Sequence, residues 1–115
     1  LAPSIKMYKR DVAPMISSLC REHNIRHKYN KSDLRWFFPD TGSEVYVFHS
    51  DDDGQSIRGP TLAWGIVNEV TLCSRLAVLM FLGRIRDKKA KLLQLAMSGT
   101  PESFNWGYEY FIENP

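Results

Sequence analysis

The stretch that most constrains the fold is residues 62–69, LAWGIVNE, in which five of the first six residues are apolar, the other is Gly65, and the pattern stops at Asn68-Glu69. A continuous apolar run this short reads as a strand covered on both faces, the form strands take in parallel sheets. Residues 74–87, SRLAVLMFLGRIRD, follow with helical length. Ser74 is placed as an N-cap, and Arg84 and Arg86 stand near the C-terminus, where cations suit the helix dipole. A second apolar strand runs over Leu92–Met97. Strand, helix and strand of this kind form a βαβ unit with parallel strands and a right-handed crossover. Open α/β sheets bind ligands outside the carboxyl ends of their strands. That rule singles out Asn68-Glu69 and Ser98-Gly99-Thr100-Pro101.

The residues ahead of this unit predict two further elements. Val12, Met15, Ile16, Leu19 and Cys20 have the spacing of an amphipathic helix over residues 12–23, with Asp11 as N-cap and Pro14 in the first turn. Leu34–Phe38 and Glu44–His49 are β-rich runs around the turn residues 39–43, PDTGS, and predict a β-hairpin. Residues 50–60 read as a polar loop and 106–113 as a closing helix. The fold class is α/β, a sheet holding a parallel βαβ unit with a β-hairpin. At 115 residues the chain has room for one domain, at the low end for an α/β enzyme.

Composition removes several classes of function. Cys20 and Cys73 show no CxxC or Cys/His clustering, so neither a disulfide framework nor a zinc site is indicated, and a reducing compartment fits. The longest apolar run, Leu76–Leu82, is far short of the roughly 20 residues that cross a bilayer, so no membrane role is expected and the reading is a soluble intracellular protein. Charge is uneven. Residues 1–36 hold 8 basic and 3 acidic groups, residues 37–69 hold 1 and 6, and residues 70–115 hold 6 and 4. The basic N-terminal side suits either a polyanion or plain solvent.

Chemistry concentrates at the strand ends. A carboxylate directly after a buried strand, Glu69, is rigidly held and suited to orient or deprotonate a water. Asn68 offers Mg²⁺ an amide oxygen without a charge. Ser98, Gly99 and Thr100 bring two hydroxyls and a flexible backbone beside it, and Arg58 supplies a guanidinium suited to a phosphate oxygen. Asp51-Asp52-Asp53 lacks the alternate spacing that lets carboxylates converge on one ion. His23, His27 and His49 have no metal-ligand spacing, and the tryptophans read as core.

Taken in order, the hairpin, SIRGP (56–60), LAWGIVNE, the helix, LLQLAMSGTP (92–101) and FNWGYEYF (104–111) resemble the ATPase domain of the large terminase subunit, the DNA-packaging motor of tailed bacteriophages and related viruses. The resemblance covers roughly residues 10–115. It implies a P-loop NTPase, RecA-like fold of the additional-strand glutamate class, with ATP and Mg²⁺ as substrate and cofactor. It also implies double-stranded DNA, the portal and procapsid, and the small terminase subunit as partners, with a homo-oligomeric ring in the cytoplasm of an infected host cell. In that frame residues 63–69 resemble the Walker B strand, Asn68 stands where the family usually has the Mg²⁺-associated Asp, and Glu69 is the water-activating glutamate. Ser98-Gly99-Thr100 resembles the coupling motif, and Arg58 an arginine finger acting on a neighbouring subunit. Two departures stand out. Asn68 removes a charge, and no GxxxxGK[ST] loop occurs to cradle phosphates. The expectation is therefore an internal fragment of an ATPase domain, inactive without the Walker A segment. Alternatives are a fragment of another P-loop DNA motor or helicase, and a non-catalytic nucleic-acid or capsid interaction module using the basic residues from Lys6 to Lys31. A small nuclease is a third.

Overall fold

The computed structural model describes residues 1–57, 59 and 61–99. The chain forms two compact units, Ile5–Val47 and the pair Leu1–Ser4 with the chain from Phe48 onward.

In the first unit the helical run starts at Ile5, not at residue 12. It comprises α1 (Ile5–Met7), a π-helical turn (Tyr8–Val12) and α2 (Ala13–Glu22). Asp11 is thus inside the helix and caps nothing; its carboxylate takes two hydrogen bonds from Arg10, at 2.8 and 2.7 Å. The wide turn has a local cause. Pro14 has no N–H for the carbonyl of Arg10, so the ladder shifts to the i→i−5 pattern, with the Ala13 amide donating to the Tyr8 carbonyl.

The expected hairpin is present as β2 (Arg35–Phe38) and β3 (Ser43–Tyr46), antiparallel with Phe38 opposite Ser43. Gly42 closes the turn at φ +73° and donates its amide to the Phe38 carbonyl at 2.8 Å. A third strand, β1 (Lys28–Asn30), pairs antiparallel with β2 and is not legible in its polar sequence. Side chains alternate across this sheet. Tyr29, Trp36 and Val45 share one face, where the indole N–H of Trp36 donates to the Tyr8 hydroxyl at 2.9 Å and that hydroxyl donates to Tyr29 at 2.9 Å. The Tyr29 ring stacks on Trp36 at 4.2 Å. Burial pushes the Tyr8 phenol pKa up.

The second unit contains the βαβ unit. β4 (Trp64–Val67) and β5 (Gln94–Met97) are parallel neighbours, with Val67 opposite Met97. Between them lie a 3-10 turn (Val70–Leu72) and α3 (Arg75–Leu82). Ser74 is the N-cap of α3, accepting from the Ala77 amide at 3.1 Å. The helix ends at Leu82, so Arg84 and Arg86 do not serve its C-terminus. The chain turns extended there because the Leu62 amide donates to the Arg84 carbonyl and the Asp87 amide to the Leu62 carbonyl, a parallel bridge between Leu62 and Ile85. Ala77, Val78 and Phe81 of α3 are buried, as are Val67 and Ile57. Gly65 permits the approach of helix to strand, since a Cβ there would stand 2.7 Å from the Phe81 ring.

The strands are not covered on both faces as the apolar pattern predicts. β4 buries Gly65 and Val67, while Trp64 and Ile66 remain 45% and 54% exposed, and β5 is exposed from Gln94 to Ala96. A run such as LAWGIV marks residues fit for burial on two sides, but among the described residues only one side of β4 receives a helix.

Candidate functional site

The carboxyl ends of β4 and β5 lie side by side, and backbone pairing continues past the strands. The Ser98 amide donates to the Val67 carbonyl at 2.9 Å, and the Val70 amide donates to the Ser98 carbonyl at 2.7 Å. The Ser98 hydroxyl bridges the two candidate residues, accepting from the Glu69 amide at 3.4 Å and donating to the Asn68 side-chain oxygen at 3.5 Å, both long. Gly99 comes close behind, and a Cβ on it would meet the Val70 amide nitrogen at 3.2 Å. The βαβ rule thus brings Asn68, Glu69, Ser98 and Gly99 together. Arg58 and Thr100, with the helix expected over 106–113, lie outside the described residues.

Glu69 has left-handed backbone, φ 52° and ψ 59°, a conformation that costs a non-glycine residue roughly 1 kcal/mol. The turn reverses the chain from β4 into the 3-10 helix and leaves Glu69 only partly buried. Two contacts that the sequence does not announce hold the strand end. Leu1 lies along the edge of β4 away from β5, its ammonium donating to the Ile66 carbonyl at 2.7 Å and its carbonyl accepting from the Asn68 amide at 2.9 Å. Beyond it, Ala2 bridges in parallel to His49. The Cys73 thiol donates to the Asn68 carbonyl at 3.7 Å, and burial pushes that thiol pKa up.

Among the described residues no group of three or more His, Cys, Asp or Glu side chains converges on a point. Asp52 instead closes a local turn, accepting from the Gly54 amide at 3.1 Å and the Ser56 hydroxyl at 3.4 Å. At the strand ends, Asn68 and Glu69 offer a neutral oxygen and a carboxylate. That is a set able to hold Mg²⁺ only when phosphate oxygens and waters complete the shell. Among the described residues no helix is long and apolar enough to cross a membrane.

This arrangement recurs in a solved structure, the large terminase of a thermophilic bacteriophage, which superposes with a TM-score of 0.81 at 20% sequence identity. This chain has the fold of part of a large terminase. The match covers 97% of the chain and 28% of the terminase. Another crystal form of that terminase, in complex with ADP, matches with the same scores. No family model matches the sequence, and no curated protein is significantly similar to it. The terminase likeness therefore rests on three-dimensional arrangement, and it accommodates both the antiparallel sheet and the parallel pair.

Proposed function

We propose that these residues are an internal part of the ATPase motor of a viral large terminase, a P-loop NTPase of RecA-like fold that hydrolyses ATP to translocate double-stranded DNA into a procapsid. The observation that carries this reading is the adjacency of Asn68-Glu69 and Ser98-Gly99 at the ends of two parallel strands. Fold likeness to part of a terminase supports it, as does the apolar sheet face of Trp64 and Ile66, suited to packing against further structure.

In this reading Glu69 orients and deprotonates the attacking water, and its partial exposure leaves room for that water beside the strand end. Asn68 holds Mg²⁺ through its amide oxygen, directly or through water; the ion supplies charge neutralisation at the phosphates. Ser98 fixes the Glu69 backbone and Asn68 oxygen in one register, so a shift of the 98–100 segment is felt at both. Arg58 serves as a finger toward a neighbouring subunit in a ring, and the portal and small terminase subunit are the remaining partners. Phosphate cradling comes from a Walker A loop supplied by a longer polypeptide. The test is ATP hydrolysis by a chain extended upstream to include that loop. Turnover should be present in the extended chain, absent from the 115 residues alone and lost in Glu69→Gln. Turnover that survives Glu69→Gln rejects the assignment.

A further inference from the structure

The three-stranded sheet has a second face that the hydrolysis reading does not use. By register, Lys28, Phe37 and Glu44 form one row across it and Asn30, Arg35 and Tyr46 the next. The opposite face is occupied by the Trp36, Tyr29 and Tyr8 cluster, whereas Lys28, Asn30, Arg35 and Glu44 are all exposed to solvent. The ion pairs formed by cations of this unit lie elsewhere, Arg10 with Asp11 and Arg26 with Asp40. Among the described residues, no carboxylate lies within salt-bridge distance of Lys28 or Arg35.

Arg35 is nevertheless held in place. Its guanidinium lies 4.3 Å from the centroid of the Tyr46 ring, and the Tyr46 hydroxyl is anchored by donating to Glu44 at 2.8 Å. A guanidinium stacked on a ring keeps its N–H edge available and has already lost much of its rotamer freedom, the condition in which an arginine grips phosphate at low entropic cost. A flat face with two unneutralised cations, one preorganised, matches a surface of regularly spaced phosphates better than it matches an apolar partner.

We infer that the outer face of this sheet, through Lys28 and Arg35, binds the phosphate backbone of duplex DNA without sequence preference. The inference deepens the DNA-translocating part of the reading above by naming a contact face, and its test omits nucleotide, so failure of binding and failure of hydrolysis are read separately. Binding of a fluorescein-labelled duplex of about 30 base pairs to the 115-residue chain is measured by anisotropy across a salt series. K28A/R35A should weaken binding roughly tenfold or more at low salt and flatten the log K against log[salt] slope by about 1.8, the value for two lost phosphate contacts. Glu44→Gln removes the one carboxylate on the face and should tighten binding. That gain cannot come from misfolding. Lys6→Ala/Lys9→Ala, altering cations of the helical run, should change neither quantity as much. An unchanged slope in K28A/R35A, weaker binding by Glu44→Gln, or equal displacement of the duplex by poly-glutamate of matched charge would each overturn the inference, the last by assigning the face to acidic protein segments.

Discussion

At the scale of single residues, Glu69 joins a strained backbone to a chemical role, and the two separate by substitution. Glu69→Gly relieves the left-handed strain and should raise stability by about 1 kcal/mol, a shift of a few degrees in Tm, whereas Glu69→Gln leaves the strain in place and should leave Tm nearly unchanged. Thermal melts of the two variants check this, and equal Tm values would remove the argument from strain. Tyr8 gives a second case. Its hydroxyl accepts from Trp36 and donates to Tyr29 inside the first unit, so Tyr8→Phe strands a buried indole N–H and should cost about 1–3 kcal/mol in urea unfolding. Because burial raises the Tyr8 pKa in the folded state, the folded protein holds that proton more tightly. The associated stability is present below a pH of about 10 and lost as pH rises beyond it. Wild type should therefore lose stability faster than Tyr8→Phe between about pH 9 and 11; parallel curves would contradict the assignment.

At the scale of elements, α3 and β4 depend on one cap and one glycine. Ser74→Ala should cost about 1 kcal/mol by removing the acceptor of the Ala77 amide. Gly65→Ala should cost about 1–3 kcal/mol, since its methyl must displace the Phe81 ring or bend β4. Urea midpoints measure both, and a neutral Gly65→Ala would mean that the helix does not press on the strand. The same elements explain what the sequence disclosed. Ser74, the apolar LAVLMFL and the abrupt stop at Asn68 give the helix, its start and the end of β4 without reference to anything distant. Lys28–Asn30 could not be recognised as a strand, because KYN carries little β signal and its extended form depends on pairing with β2, Lys28 opposite Phe37 and Asn30 opposite Arg35. The π-helical turn at Tyr8–Val12 follows from Pro14, yet a proline near a helix start reads equally well as a first-turn residue. For that reason Asp11 reads as a cap in the sequence although it lies inside the helical run.

At the scale of the whole molecule, the juxtaposition of Asn68-Glu69 with Ser98-Gly99 was legible because parallel βαβ topology forces neighbouring strands to end on the same side of the sheet. What holds Asn68 from the other side was not legible. Leu1 and Ala2 enter between β4 and the segment Phe48–Ser50 through backbone bonds alone, which leave no mark in residue type. The apolar run also overstated burial, since sequence reports what a face can pack against rather than what these residues supply. The account as a whole rests on a carboxylate at a strand end acting on a nucleotide. Single-turnover ATP cleavage at saturating ATP, in the extended chain, tests it most directly. Glu69→Gln should slow cleavage by roughly 10²–10⁴-fold, the range of a lost general base, with ATP affinity unchanged; cleavage at the wild-type rate in that variant would contradict the account.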